Sequence, residues 1–152
     1  MLHNDQHGTA IVVLAALMNA CEIQGKDIKS VKIVILGAGA SGLATARLLL
    51  RFEIPRANLI VCDSRGVIYE ARTEGMNEWK EQVAAPTHLR TFPEAIKDAD
   101  VFIGLAGKDL LSEAHITSMA PKPIVFALAN PNPEINPELA KSLRPDAIVA
   151  TG

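Results

Sequence analysis

The residues with the most pointed chemistry are Gly37-Ala38-Gly39-Ala40-Ser41-Gly42, three glycines at the spacing G-x-G-x-x-G. That spacing alone is a weak signal, and its context strengthens it. The β-branched run at 31–36 precedes it, a helical pattern at 41–52 follows it, and Asp63 closes the next strand-like run 21 positions after Gly42. Each feature has a physical reason. Gly37 permits a tight turn from strand to helix, Gly39 has no Cβ to hold a pyrophosphate off the backbone, and Gly42 lets the helix pack close to the sheet. The free N–H groups and partial positive charge at the helix start favour phosphate. Asp63 offers acceptors to ribose hydroxyls and repels a 2′-phosphate, which favours NAD. Arg65, two residues on, could pair with that phosphate and keeps NADP open.

Other polar groups sit on loops. Asn130-Pro131-Asn132-Pro133-Glu134 follows a strand-like run at 124–128, and open α/β sheets bind ligands at the carboxyl ends of their strands. The prolines stiffen this loop and Asn130 supplies both a donor and an acceptor; a rigid structural turn is the alternative. Ala106-Gly107 follows the run at 101–105 and is expected to face the same ligand, with Lys108 and Asp109 solvated. Near the N-terminus, His3 and His7 stand four apart with Asp5 between them. Such a pair on one helix can hold zinc. Gly8-Thr9, however, places the expected helix start after His7, so a solvated N-terminus is the reading.

The elements that must carry these residues alternate between strand and helix, the pattern of an α/β domain whose parallel sheet is covered on both faces. A first helix is predicted over 9–24, capped by Thr9 and stopped by Gly25; it is apolar nearly all round, so burial is expected. Strands are predicted at 31–36, 58–62, 101–105, 124–128 and 147–150. Only Ser64-Arg65-Gly66 separates the second strand from the run at 67–71. A parallel crossover needs about a dozen residues, so 67–71 should fold back antiparallel. Helices are predicted at 75–84 and 112–119. Thr91 and Glu94 have capping-box spacing, and Asn136-Pro137 opens a helix running to about Leu143. No helix follows the last strand, so further chain downstream is expected.

The 152 residues make one domain, and 49% hydrophobic content with only 4% aromatics requires an aliphatic core. A net charge of −2 without a long basic run argues against a nucleic-acid or anionic-membrane partner. Cys21 and Cys62 lie in apolar runs without a C-x-x-C pair and read as reduced core residues. The apolar run at 10–20 is too short to span a bilayer and lacks the basic flank of a signal peptide, so a cytoplasmic location is expected.

Taken in order along the chain, five segments resemble the malic-enzyme family of bacterial type: His3-Asn4-Asp5-Gln6-His7-Gly8-Thr9-Ala10, Leu36-Gly37-Ala38-Gly39-Ala40-Ser41-Gly42, Val61-Cys62-Asp63-Ser64-Arg65-Gly66, Arg72-Thr73-Glu74-Gly75-Met76-Asn77 and Phe126-Ala127-Leu128-Ala129-Asn130-Pro131. The resemblance implies a parent enzyme that oxidises L-malate with NAD or NADP and decarboxylates the resulting oxaloacetate with Mg²⁺ or Mn²⁺. It places Asp5 at a metal-ligand carboxylate and Asn130 near substrate and nicotinamide. The implied cofactor-binding set is Gly37, Ala38, Gly39, Ala40, Ser41, Gly42, Asp63, Ser64, Arg65, Ala106 and Asn130.

Two departures stand out: Asn4-Asp5 replaces a tandem pair of acids, and residues 106–110 lack the family's small-residue and proline pattern. The family's catalytic tyrosine and lysine precede the matched region, and Tyr69 does not match that tyrosine. The expectation is therefore one Rossmann-type domain over 1–152, with 1–30 as leading segment and buried helix. Its sheet is doubly wound, three-layered αβα and mostly parallel, with one short antiparallel strand. The chain should bind cofactor and carry no catalytic residue, while its homo-oligomeric parent acts on L-malate. Alternatives are the cofactor domain of a malolactic enzyme or amino-acid dehydrogenase, a nucleotide-sensing module, and a non-binding scaffold.

Overall fold

The computed structural model describes residues 2–152, with side chains from His7 onward. The five β-branched runs form parallel strands: β1 (Ile33–Leu36), β2 (Leu59–Asp63), β4 (Val101–Gly104), β5 (Ile124–Ala127) and β6 (Ile148–Thr151), with a two-residue β3 (Gly66–Val67) between β2 and β4 in sequence. The sheet order is β3-β2-β1-β4-β5-β6. Only β3 is antiparallel, pairing Cys62 with Val67 and Asp63 with Gly66, as the three-residue connection requires. It is shorter than the predicted 67–71 because the chain leaves β2 after Ile68, whose N–H makes the last bond to it, on the Val61 carbonyl. Tyr69 then bridges in parallel to Ala85 instead.

Alternation along the strands splits the core into two layers. Ile33, Ile35, Val61, Ile103 and Phe126 pack with Val13, Leu17, Leu43 and Leu49, which come from α1 (Leu2–Gln24) and α2 (Ala40–Arg51). Val34, Leu36, Ile60, Phe102 and Val125 pack on the other face with Ile96, Ile116 and Ala140. Those three belong to α4 (Phe92–Ile96), α5 (Glu113–Thr117) and α6 (Pro137–Leu143). This is the expected three-layer Rossmann-type arrangement. The chain winds outward from β1 to β2, then returns across the sheet to β4. The crevice at the carboxyl ends of β1 and β4 is thus the topological switch point.

The predicted caps of α4 and α6 form. Thr91 and Glu94 make a capping box, and the Asn136 side chain accepts from the Glu138 and Leu139 N–H groups ahead of Pro137-led α6. The polar helix predicted at 75–84 shrinks to α3 (Glu78–Glu81), because Gly75 turns the chain at φ +65 and Asn77 supplies the N-cap.

The first helix departs from expectation most. It begins at Leu2 rather than after Thr9, and Gly25 ends it at φ +69. Its window His7–Gln24 is long and apolar enough, by length and composition, to cross a membrane, a test that a helix packed on a core also meets. It is not buried all round either. Val13, Leu17, Ala20 and Cys21 enter the core, while Val12 and Ile23 remain 67% and 68% exposed. A helix laid on one neighbouring layer can bury only the stripe that faces it. The Gln24 side chain anchors its end by donating to the Asp146 carbonyl at 2.9 Å.

Candidate functional site

The glycine loop turns where β1 meets α2. Gly37 lies at φ +123, and a Cβ there would stand 2.7 Å from the Leu105 carbonyl oxygen; a Cβ at Gly42 would run into the Gly37 carbonyl. These two glycines serve the fold itself. Gly39 is different: a Cβ there would meet no protein atom within 4 Å, so its face opens outward. Gly39 is also the N-cap of α2 and has no side-chain cap. The first N–H groups of a twelve-residue helix are left for an outside acceptor.

A cavity of about 640 Å³ opens beside this loop, lined by Gly37, Ala38, Gly39, Asp63, Ser64 and Ala106, with Lys80, Phe92 and Leu110 on its walls. A second, of about 540 Å³, lies beyond Ala106 between the Gly8–Val13 stretch of α1 and the ends of β5 and β6; Thr9, Ser41, Ala106, Ala129, Asn130 and Thr151 line it. Ala106 belongs to both. Of the sequence-predicted residues, the structure thus gathers Gly37–Gly39, Asp63, Ser64 and Ala106 on one side, and Ser41, Ala106 and Asn130 on the other. Ala40 is exposed at the first turn of α2. Arg65 lines neither cavity and pairs loosely with Glu74 at 3.3 Å on the surface. Lys108 and Asp109 are solvated, as expected. Asp5 and His3 fall outside the described side chains. Among the described residues, no three His, Cys, Asp or Glu side chains converge on a possible metal position.

Asp63 does not present a free carboxylate. Its Oδ1 accepts from the Arg65 N–H at 2.9 Å, and its Oδ2 accepts from Arg72 Nη2 at 2.6 Å and Lys80 Nζ at 2.8 Å. Burial pushes its pKa up, but the hydrogen bonds from Arg72 and Lys80 outweigh that and hold it down at about 2. Arg72 is itself buried and satisfied: Nε donates to the Glu74 carbonyl and Nη1 to the Val67 carbonyl. Asn77, by capping α3, sets the turn from which Lys80 reaches back to Asp63. The argument for NAD from a repelling carboxylate therefore fails, because two cations face that single negative charge. Sequence reasoning missed both: Arg72 and Lys80 stand 9 and 17 residues from Asp63, with no spacing that announces the contact.

The remaining candidates are inert. Burial pushes the Cys62 thiol up to about 12 and the Cys21 thiol up to about 11. Tyr69 lies under the Arg90 guanidinium at 3.6 Å, outside both cavities.

Comparison with known proteins agrees with this geometry. A family profile described as "Malic enzyme, NAD binding domain" matches residues 6–152. A probable NADP-dependent malic enzyme of Rickettsia prowazekii is 50% identical over all of this chain and 20% of its own length. An NADP-dependent malic enzyme of Rhizobium meliloti is 49% identical over the same shares. The crystal structure of NAD-dependent malic enzyme from Thermotoga maritima superposes with a TM-score of 0.89 at 39% identity, over 98% of this chain and 40% of that one. The chain thus spans about a fifth of the length of these two bacterial relatives. With the glycine turn, the switch point and the match over 6–152 in agreement, the chain belongs to the malic enzyme NAD-binding domain family.

Proposed function

We propose that this chain holds the nicotinamide cofactor for a malic enzyme, which oxidises L-malate and releases CO₂ to leave pyruvate. The observation that carries this reading is the uncapped start of α2 behind the open face of Gly39, at the switch point of the sheet. Gly37, Ala38, Gly39, Ala40, Ser41 and Gly42 would cradle the pyrophosphate. Asp63 and Ser64 would meet the adenosine ribose, with Arg65 at the rim. The nicotinamide end would pass Ala106 into the second cavity, where Asn130 orients it and the substrate. A nicotinamide held there by Ala106 and Asn130 would supply the hydride acceptor for the carbinol carbon of malate. Among the described residues, no acidic, basic, cysteine or tyrosine side chain lines that second cavity, and our reading is that the proton-transfer groups of the whole enzyme come from outside it, so that the chain by itself would bind cofactor without turning malate over.

The relatives' names include both cofactors. Our reading is that both bind here and that the 2′-phosphorylated form is preferred, because Arg72 and Lys80 outnumber Asp63 in charge at the ribose corner. Calorimetric titration of the chain with NADP⁺ and NAD⁺ tests this: NADP⁺ should bind more tightly, and Lys80→Met should narrow the gap by roughly tenfold, the scale of one lost charge-assisted contact. Equal affinities in the unmodified chain would refute the preference.

Asp5 is proposed as one carboxylate ligand of the Mg²⁺ or Mn²⁺ of the whole enzyme. Such ions need several oxygen ligands, and the described residues assemble no such set, so no step here runs through the ion. For the whole protein we propose homo-oligomeric assembly and, from two buried free thiols, a cytoplasmic location. Assay of the full-length enzyme with malate separates the reactions: net formation of reduced cofactor with pyruvate supports the malic reaction, whereas lactate without it indicates the malolactic one.

A further inference from the structure

Glu134 is fully buried, with 0% of its surface exposed, and among the described residues it makes no ion pair. Its carboxylate lies across the ends of β4 and β5. Oε2 accepts from the Ala106 N–H at 3.0 Å, and Oε1 accepts from the Ala129 N–H at 3.2 Å. Its backbone ties the same two loops together a second time: the Glu134 carbonyl accepts from Leu111 N–H at 3.0 Å, and the neighbouring Pro133 carbonyl from Asp109 N–H at 3.2 Å. Gly104 makes room for the side chain, since a Cβ there would stand 2.6 Å from Glu134 Oε1.

Burying a carboxylate is expensive, and packing alone would be served better by an apolar residue. What an acid supplies is two acceptors on one rigid fork. Glutamine has one acceptor and would turn an amide N–H₂ towards one of the two N–H groups. The two points held by this fork, Ala106 and Ala129, both line the second cavity, and Asn130 follows Ala129 directly.

We propose that Glu134 is a positioning residue: it clasps the loops after β4 and β5 so that Ala106 and Asn130 keep a fixed separation, which sets where the nicotinamide end and the substrate lie. This rests on the functional reading above, in which that end enters the second cavity. Glu134 itself touches neither cavity and acts only through the two loops.

The test compares a whole cofactor with its adenosine half. In titrations of the chain with NADP⁺ and with adenosine 2′,5′-bisphosphate, Glu134→Gln should weaken NADP⁺ by roughly tenfold, the cost of one buried N–H left without an acceptor. Binding of the bisphosphate, which ends before the clasp, should change less than about twofold. Gly104→Ala, which pushes on the carboxylate from the sheet side, should give the same split. Equal losses for both ligands would mark a purely structural residue and overturn the proposal, as would no loss for either. If the variants do not fold, amide exchange in the unmodified chain decides: the Ala106 and Ala129 amides should be protected like the sheet, and exchange at the rate of open loops overturns the clasp. An unmodified chain that binds NADP⁺ no better than the bisphosphate would instead defeat the placement of the nicotinamide end, leaving the clasp to be judged by exchange.

Discussion

Asp63 shows how one residue can keep its place and change its meaning. The sequence marks it as the acid that ends the second strand, and there it stands, but with Arg72 and Lys80 on one oxygen and a backbone N–H on the other. Its side chain is only 9% exposed, so the pairing bears on stability. Its folded pKa of about 2 lies below its ordinary 3.8. The stabilisation is therefore fully present above about pH 4 and is lost as pH falls through about 2. Its size at neutral pH is on the order of 2 kcal/mol. Urea unfolding across this range should show the gap between the unmodified chain and Asp63→Asn closing as the pH drops from 4 to 2. A gap that stays constant would mean that the ion pairs contribute nothing through charge. Removing the carboxylate entirely, as in Asp63→Ala, leaves buried Arg72 without its counter-ion and should cost about 3–5 kcal/mol at pH 7.

Among the elements, those defined by local chemistry were legible in advance and the long first helix was not. Thr91, Glu94, Asn136 and Pro137 act on groups within a few residues of themselves, so their spacing suffices to place α4 and α6. Helix α1 has no alternation that says which side faces inward, because apolar residues occupy nearly every position from 10 to 23. Packing on α2 and the sheet chose the stripe of Val13, Leu17, Ala20 and Cys21. A paired substitution checks that choice. Leu17→Ala should destabilise the chain by about 2–5 kcal/mol through the lost contacts and residual cavity. Ile23→Gln, at 68% exposed, should stay within about 0.5 kcal/mol. Denaturation midpoints that fall equally for the two would contradict one-sided burial.

For the molecule as a whole, the sheet brings together segments that no short stretch of sequence could join. The cofactor region draws on the β1 turn, the end of β2 and the loop after β4, while the second cavity adds the Gly8–Val13 stretch of α1, the loop after β5 and the end of β6. A ligand bridging these pieces binds only the folded chain and must raise its unfolding temperature. At NADP⁺ about a hundredfold above its dissociation constant, the gain is about 2.7 kcal/mol. For a domain of this size that corresponds to a rise of roughly 5–10 °C in Tm. Thermal scans showing no rise under saturating NADP⁺ would remove the basis for a cofactor site at the switch point.

The amino-acid sequence by itself determined the glycine turn, the antiparallel return after Asp63, the caps of α4 and α6, and the doubly wound class. Each depends on sterics or hydrogen bonds between residues close along the chain, or on the simple alternation of strands and helices. Only the tertiary structure decided that Asp63 is neutralised by Arg72 and Lys80, that Glu134 reaches back 28 residues to the Ala106 amide, and that one face of α1 stays uncovered among the described residues. Charge compensation and burial are set by which atoms end up side by side in space, and the winding of the sheet, not the spacing of the letters, makes those neighbours.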